Sequence, residues 1–274
     1  MITLLSDFGS RDAYVAAMKG AIASIAPEIP TCDLTHQVPA QNILAARFNL
    51  MMAYPYFPKG TVHLAVVDPG VGSSRRAIAL QTPSGFFVGP DNGLFCGVIE
   101  RESILAVVNL TNTRYWRTSK VSATFHGRDI FAPVAAHLAS GVPIVLLGDR
   151  ISPATLVSID LPPFQETFDY TAEGSRLRFT GSLQYIDSFG NLISNLPARV
   201  VPDGPWQLSI ELLEGPRRFD GVKTYSDVPV GSLAALVGSH GWVEVACNGG
   251  SAFKVLSSRA DIGSAVTLLV PSDL

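Results

Sequence analysis

The first half of the chain alternates between two hydrophobic patterns. Short runs rich in β-branched residues are separated by segments in which apolar side chains recur every three or four positions. In chain order, these predicted strands and helices cover residues 1–5, 15–25, 31–34, 43–54 and 61–67. The last run is almost continuously apolar, as is typical of a strand covered on both faces. The alternation predicts a layered α/β domain.

The remainder of the first half predicts four further strands and one helix. The strands cover residues 77–81, 85–88, 104–108 and 144–147, and the helix covers residues 130–138. The first two of these strands flank a Pro-Ser-Gly turn, so we expect them to form a hairpin.

Residues 153–168 separate two regions with different patterns. Three prolines interrupt this stretch, which has little periodicity and is typical of an interdomain connection. Beyond it the helical spacing stops, and short β-type runs separated by turn-forming residues predict a small β-barrel or sandwich. These runs cover residues 177–186, 206–212, 233–237, 242–247 and 265–270. We therefore predict an α/β domain over residues 1–152, a linker over 153–168 and a smaller all-β barrel domain over 169–274.

Composition narrows the classes of function. The 274 residues are 47% hydrophobic and 16% charged, which favours a folded, soluble protein. A net charge of -3 without a cluster of basic residues argues against nucleic acid as a partner. The cysteines Cys32, Cys96 and Cys247 are far apart and odd in number, so we expect reduced thiols in a cytoplasmic protein. No signal peptide or membrane span is expected, because charged residues interrupt the N-terminal apolar run.

The strongest candidate for chemistry is the loop that follows the apolar run of residues 61–67. It begins with Asp68, so a carboxylate falls at the carboxyl end of a strand, where ligands bind in open α/β sheets. One proline and two glycines predict a tight loop that holds Asp68 close to Arg75. A plain turn followed by a surface arginine is the alternative. Asp7 parallels Asp68, because it follows the predicted strand of residues 1–5.

Further polar clusters lie in predicted loops, and each alone is a weak signal. They are Asp7 with Asp12, His126 with Arg128 and Asp129, residues 187–191, Ser239 with His240, and residues 248–251. The clusters at 187–191 and 248–251 could be ordinary hairpin turns. His63 and His137 are expected to pack or to lie at the surface, and His36 to hold the loop of Asp33. The close ligand spacing of a metallohydrolase is absent from the sequence.

Six short motifs become specific when they are read in chain order. They are Leu5-Ser6-Asp7-Phe8-Gly9, Asp33-Leu34-Thr35-His36, Val67-Asp68-Pro69-Gly70-Val71-Gly72 with Arg75, Gly89-Pro90-Asp91-Asn92-Gly93, Phe125-His126-Gly127-Arg128-Asp129, and Asp187-Ser188-Phe189-Gly190-Asn191. Together, and nearly from end to end, they resemble the S-adenosyl-L-methionine (SAM) hydroxide adenosyltransferases, which are hydrolases related to bacterial fluorinase and chlorinase.

The resemblance implies a reaction and an assembly. Water or hydroxide attacks the 5′ carbon of SAM, which gives adenosine and L-methionine without a metal or cofactor. Asp68, Arg75 and His126 match the residues that activate the water. Either His126 or Asp68 could accept the proton, and the sequence leaves that choice open. The resemblance also implies a homotrimer with the substrate between the N-terminal domain of one subunit and the C-terminal domain of the next.

The resemblance assigns substrate contacts position by position. It implies that Asp7 binds the ribose hydroxyls, Asp12 and Asp187 the methionine amino group, Phe189 and Asn191 the adenine, and Ser239, Asn248, Gly249 and Ser251 the remaining methionine and adenine contacts. His240 stands where the halogenating relatives have an arginine, so a contact to the methionine carboxylate is left unassigned.

Two alternatives to a SAM hydrolase follow from the same motifs. A non-catalytic adenosine or SAM-binding protein would need the binding residues but not Asp68, Arg75 and His126. A SAM-dependent halogenase is disfavoured, because such relatives have tyrosine at the position of Asp68, threonine at that of Val71 and a halide-binding serine at that of Gly127.

Overall fold

The structure is a computed structural model that describes residues 1–171, 174–256 and 260–270. Its strands are β1 (Ile2–Ser6), β2 (Thr31–Thr35), β3 (Thr61–Val66), β4 (Ala77–Gln81), β5 (Gly85–Pro90), β6 (Ala106–Asn109), β7 (Asp149–Arg150), β8 (Gln165–Thr171), β9 (Gly174–Ile186), β10 (Leu192–Pro197), β11 (Gln207–Leu212), β12 (Gly215–Asp220), β13 (Leu233–Val237), β14 (Trp242–Cys247) and β15 (Ala265–Leu269). Its α-helices are α1 (Tyr14–Ile25), α2 (Ile43–Ala53), α3 (Cys96–Ile99), α4 (Ala132–Ala139) and α5 (Ala252–Val255). The chain divides into two units, Met1–Ile159 and Asp160–Leu274.

The first unit is built on a mixed sheet with the strand order β2-β1-β3-β5-β4-β6-β7. Strands β2, β1, β3 and β5 run parallel, and β4 is antiparallel to both of its neighbours. All six residues of β3 are buried, as the continuous apolar pattern predicts. Because β1 and β3 are parallel neighbours, Asp7 and Asp68 follow them at the same edge of the sheet.

Helices α1 and α4 cover part of this sheet. Met18 and Ile22 of α1 are almost fully buried, and they share a core with β1, β3 and the alanine-rich α4. Side chains of this size contribute about 1.5–3 kcal/mol each when they are removed from water. Asn42 caps the N-terminus of helix α2, because its side chain accepts a hydrogen bond from the N–H of Ala45.

Two histidines of the first unit have structural contacts. His63 is 1% exposed, lies 2.8 Å from Thr3 Oγ1 through Nδ1, and has its pKa lowered to about 4 by burial. Its ring stacks on Phe87, so the expected packing role is confirmed. His36 contacts Ser6 Oγ and Asp33 Oδ1, and it thereby ties the end of β2 to β1.

The second unit is an antiparallel sheet that curls into a nearly closed barrel. Its strand order is β12-β11-β15-β9-β10-β14-β13, with β8 paired to β9. The outer strands approach each other where Gly221, just after β12, bridges Ala235 of β13, and the N–H of Val222 donates to the Ala235 carbonyl at 2.8 Å. The interior is filled by side chains such as Leu208 and Val245. The α/β domain and the barrel predicted from the sequence are both confirmed.

Several predicted elements differ from the observed ones. Ile144–Leu146 is a 3-10 helix and not a strand, since a short apolar run carries no period that separates the two. The helix predicted at 130–138 is preceded by a π-helix, Gly127–Phe131, which runs into α4. Strand β8 begins inside residues 153–168, which the sequence predicts as a linker, because tertiary pairing with β9 overrides the weak local signal.

Strands β10 and β12 are also missing from the predicted pattern. Both include proline, and β12 carries consecutive arginines, so neither shows the alternation typical of a strand. Within the described ranges, no helix has both the length and the apolar character needed to cross a bilayer.

Candidate active site

The loop after β3 folds back so that Arg75 forms a hydrogen-bonded ion pair with Asp68. Arg75 Nε lies 2.9 Å from Asp68 Oδ1 and 3.1 Å from Oδ2, and Nη2 also donates to Oδ2. The two side chains are 10% and 6% exposed, and the guanidinium lies over the ring of Phe131. A forked, charge-assisted pair of this kind holds the carboxylate in one orientation.

His126 joins this pair from a segment far away in the sequence. Its Nδ1 lies 2.8 Å from Arg75 Nη2. Because arginine only donates, Nδ1 is the acceptor and the neutral ring carries its hydrogen on Nε2. Burial, and then the Arg75 charge, lower the pKa of His126, against the opposing effect of Asp68 and Asp129. The imidazole is therefore neutral at neutral pH. We call Asp68, Arg75 and His126 the triad.

A glycine contact explains how the two segments of the triad meet. Gly72 has a φ of +79°, and a Cβ built there would overlap the carbonyl oxygen of Ala123. A side chain at this position would thus force apart the loop of Asp68 and the segment that leads to His126. Gly72 is therefore needed both for its backbone conformation and for this close approach.

Two members of the triad, Asp68 and His126, line a pocket of about 240 Å³. The lining residues are Asp7, Phe8, Gln41, Val66, Asp68, Pro69, Val71, Thr124, Phe125, His126 and Gly127. The pocket lies at the sheet edge where β1 and β3 end, and it brings Asp7 to the same cavity as Asp68 and His126. It therefore combines two carboxylates, a neutral imidazole and two aromatic rings.

Sequence patterns do not reveal all of these lining residues. The N–H of Gln41 donates to Asp7 Oδ2 at 2.8 Å, and Gln41 has a φ of +63° although it is not glycine. Backbone strain of this kind clusters at ligand sites. Phe8 and Phe125 meet edge to face with centroids 5.7 Å apart. No local signal marks Gln41, because its partner Asp7 lies 34 positions away in the sequence.

Asp12 lies apart from this group. It is exposed, and it is not among the described residues that line the pocket. Its contact to the methionine amino group stays a prediction.

The second unit holds the cluster of residues 187–191. Asp187 Oδ1 accepts the N–H groups of Phe189 and Asn191 at 3.0 and 2.9 Å, and Oδ2 accepts Asn191 Nδ2 at 2.9 Å. Gly190 has a φ of +83° and packs so tightly on Ser251 that a Cβ would overlap Ser251 Oγ. The fold therefore brings Asp187, Asn191 and Ser251 together and leaves Phe189 76% exposed.

The other predicted binding residues of this unit sit in turns. Ser251 caps α5 by accepting the N–H of Lys254 at 3.2 Å. Asn248 Nδ2 donates to the Val228 carbonyl at 2.7 Å, and Gly249 has a φ of +69°. Ser239 is exposed. These positions offer backbone groups and short polar side chains at the surface.

His240 faces a buried carboxylate. Its Nε2 lies 2.7 Å from Glu244 Oε2, and its Nδ1 accepts the N–H of Trp242 at 3.1 Å. The Tyr225 hydroxyl donates to Glu244 Oε1 at 2.8 Å, and burial, followed by this hydrogen bond and then the Glu244 charge, raises the pKa of Tyr225 to about 12. Both ring nitrogens of His240 are thus engaged within the unit.

Among the residues that the structure describes, no group of three or more histidine, cysteine, aspartate or glutamate side chains is arranged to hold a metal ion.

Comparison with known proteins gives a consistent answer. Residues 2–148 match the SAM hydroxide adenosyltransferase N-terminal domain, and residues 181–263 match the C-terminal domain. The chain is 41% identical to the (R)-S-adenosyl-L-methionine hydrolase of Salinispora tropica, with 93% of both proteins covered, and 39% identical to that of Thermus thermophilus, with 94% of this chain and 96% of the relative covered.

More distant relatives agree with this picture. A fluorinase of Actinoplanes sp. is 27% identical, with 90% of this chain and 91% of the relative covered. The crystal structure of an uncharacterized conserved protein from Thermotoga maritima has a TM-score of 0.85 and 33% identity, with 98% of this chain and 100% of that chain covered. The chain belongs to the SAM hydroxide adenosyltransferase family.

Proposed function

We propose that this protein hydrolyses SAM to adenosine and L-methionine by attack of water or hydroxide on the 5′ carbon. The observation that carries the proposal is the triad, in which Arg75 joins Asp68 to His126 and these two residues line a pocket that Asp7 also lines. The names of the relatives from Salinispora tropica and Thermus thermophilus support the same substrate. We expect the enzyme to work in the cytoplasm.

The hydrogen bonds of the triad favour Asp68 as the group that accepts the proton of water. His126 Nδ1 already accepts a hydrogen bond from Arg75 Nη2. An imidazole nitrogen has only one lone pair, so Nδ1 cannot also accept a proton from water. Asp68 Oδ1 accepts one hydrogen bond, from Arg75 Nε, and can accept another. His126 Nε2–H is then a donor that orients the attacking oxygen. Arg75 stabilises the negative charge that this oxygen develops.

The departure of the leaving group does not need a general acid. As the oxygen forms a bond to the 5′ carbon, the bond between this carbon and sulfur breaks. Its electron pair stays on sulfur, so the sulfonium becomes the neutral thioether of methionine. The pocket therefore has to position and deprotonate one water molecule in line with the departing sulfur. Water is a weak acid with a pKa of about 15.7, so a fixed carboxylate beside it assists the attack by accepting its proton. No metal enters this proposal.

Binding of the substrate is assigned to both units. Asp7 has two carboxylate oxygens for the ribose hydroxyls, and one of them also accepts the Gln41 N–H. Asp187 is assigned to the methionine amino group together with Asp12, and Asn191 and Phe189 to the adenine. The exposed ring of Phe189 offers a face on which a base can stack. Ser239, Asn248, Gly249 and Ser251 supply the remaining contacts.

We further propose a homotrimer in which the site is completed by a neighbouring subunit. The proposal is supported by the family resemblance and by the assignment of ribose and adenine contacts to different units of the chain. Multi-angle light scattering should give a mass of three chains. A monomer with full activity at the same concentration would remove this proposal.

The pocket favours water over a halide as the nucleophile. The carboxylate of Asp68 repels an anion, and Gly127 presents no hydroxyl to hold one. Little room exists for such a group, because a Cβ at Gly127 would lie 3.1 Å from Met18 Sδ and 3.2 Å from the Phe125 ring. We therefore expect chloride to leave the product unchanged.

One experiment tests the reaction directly. The protein is incubated with SAM in water enriched in ¹⁸O, with and without chloride, and the nucleosides are separated and weighed by mass spectrometry. We expect adenosine alone, with the label in its 5′ hydroxyl. Free adenine, 5′-chloro-5′-deoxyadenosine, or tight binding of SAM without turnover would overturn the proposal. Heat-denatured protein controls for the spontaneous breakdown of SAM.

A further inference from the structure

A buried carboxylate close to His126 in sequence accepts hydrogen bonds from three residues between positions 117 and 128. Asp129 has a side chain that is 1% exposed, and it accepts hydrogen bonds from Arg117 Nε at 2.7 Å, from the N–H of Ser122 at 2.8 Å, and from Arg128 Nε and Nη2 at 2.7 and 2.8 Å. The bond from Arg128, with those from Ser122 and Arg117, holds the pKa of Asp129 far below its usual range despite burial. The group is therefore a permanently charged anchor.

The segment that this anchor holds has no regular structure of its own. Residues 117–125 form neither helix nor strand, so their conformation depends on specific hydrogen bonds. Besides its side-chain bonds, Asp129 accepts the N–H of Arg117 through its own carbonyl at 2.9 Å. The carboxylate thus closes a loop of the chain onto the first turn of the π-helix Gly127–Phe131.

This loop forms one wall of the pocket and carries one member of the triad. Thr124, Phe125 and His126 line the pocket, and Ala123 meets Gly72 of the Asp68 loop at a close backbone contact. A shift of the segment would therefore move His126 relative to Arg75 and open the seam between the two loops.

We propose that Asp129 is the positioning residue of the triad, because its buried carboxylate fixes the segment of residues 117–126 against the Asp68 loop. Asp129 does not line the pocket and acts through His126. This inference rests on the proposed function for its kinetic consequence, but the geometry that it invokes is independent of the reaction.

The main test is Asp129→Asn, which keeps the shape of the side chain but replaces an acceptor oxygen with an N–H₂ group that faces arginine donors. We expect kcat for adenosine formation to fall by about 10- to 100-fold, as is typical when reacting groups are misplaced, while KM for SAM changes far less. Asp91→Asn is the matched control. Asp91 is also a buried aspartate with an arginine partner and a backbone donor, Arg76 and Val157, so the control reports the general cost of such a loss.

A second readout does not depend on turnover. The groups that set the charge environment of His126 are Arg75, Asp68 and Asp129, so removal of the Asp129 charge should lower the pKa of His126 further. NMR titration of the His126 ring should show this in Asp129→Asn and not in Asp91→Asn. Arg117→Met, which removes one donor from a half-exposed position, should fold normally and give an intermediate loss of kcat.

These measurements separate the possible failures. If the wild type forms no adenosine, the proposed function is wrong, and the NMR titration still tests the anchor. If Asp129→Asn and Arg117→Met fold, keep the wild-type kcat and leave the His126 titration unchanged, the positioning role is overturned. A loss of kcat equal to that of Asp91→Asn, with no change at His126, would reduce Asp129 to a stabilising residue and overturn it as well.

Discussion

The triad of the first unit and the residue 187–191 cluster of the second unit are built in opposite ways. In the triad, Arg75 contacts residues that are 7 and 51 positions away. In the cluster, Asp187 bonds the backbone of residues only two and four positions away. The contact of Arg75 with His126 forms only through tertiary packing, whereas the hydrogen bonds of the second arrangement lie within one turn.

The triad and the residue 187–191 cluster also differ in solvent exposure. Asp68 and Arg75 are almost buried, so each depends on the other for its hydrogen bonds. Phe189 is 76% exposed on a turn that is already satisfied. The buried, oriented pair of the first unit is consistent with its proposed role in chemistry, and the exposed ring of the second unit with its proposed role in binding. Variants in the two regions should therefore separate rate from affinity.

The largest effect is expected for the triad. Arg75→Ala and His126→Ala should each lower the single-turnover rate of adenosine formation by about 100-fold or more, because the attacking oxygen loses its orientation and its charge stabilisation. The dissociation constant of SAM should change little. Arg76→Lys is the control, since Arg76 is the neighbouring arginine and pairs with Asp91 outside the triad. Full turnover in both triad variants would break the comparison.

An intermediate effect is expected for Asp7, which lies in the first unit but is assigned to binding. Asp7→Ala should weaken adenosine binding by about 1–3 kcal/mol, or about 5- to 150-fold, because two ribose hydroxyls lose their acceptor. Calorimetry with 2′,3′-dideoxyadenosine provides the matched ligand, for which the variant and the wild type should bind alike. Equal losses for both nucleosides would contradict the ribose contact.

A smaller effect is expected for the exposed ring of the second unit. Phe189→Ala should weaken adenosine binding by about 1 kcal/mol, or roughly fivefold, because a base loses its stacking partner. The melting temperature should change little, since the ring packs little against the rest of its own chain. Leu213→Ala, at a side chain that is 90% exposed, is the control for removal of a surface apolar group. An unchanged affinity would show that adenine does not lie on Phe189.

The smallest effect over the neutral range concerns pH. The pKa of His126 lies below its ordinary value of 6.5, because burial and Arg75 disfavour the charged ring. The neutral ring should therefore persist as the pH falls from 8 to 6.5, and kcat should decline only at lower pH, where protonation breaks the contact with Arg75. Adenosine affinity should stay constant over this range, because no histidine is assigned to its binding. A fall in kcat centred above pH 6.5 would assign the titration to another group.

Local sequence patterns were sufficient to predict the main strands and helices and to identify the candidate site residues. The continuous apolar run predicts β3, and the glycine-rich loop after it predicts a short approach of Arg75 to Asp68, because both features depend on neighbours along the chain. The motifs likewise identify the family. The sequence by itself also determined that Asp187 and Asn191 share a turn, which short-range hydrogen bonds are sufficient to form.

Only the tertiary structure decided how these groups are joined. The contact of His126 with Arg75 places the hydrogen of the ring on Nε2, the N–H of Gln41, a residue with a positive φ, donates to Asp7, and His240 contacts Glu244. Each of these depends on partners brought together by the packing of sheets and loops, and on which groups lose their water. The hydrophobic periodicity of the sequence predicts neither these partners nor the loss of water. It reflects which side of one helix or strand is buried, and not which polar groups of another element pack against it.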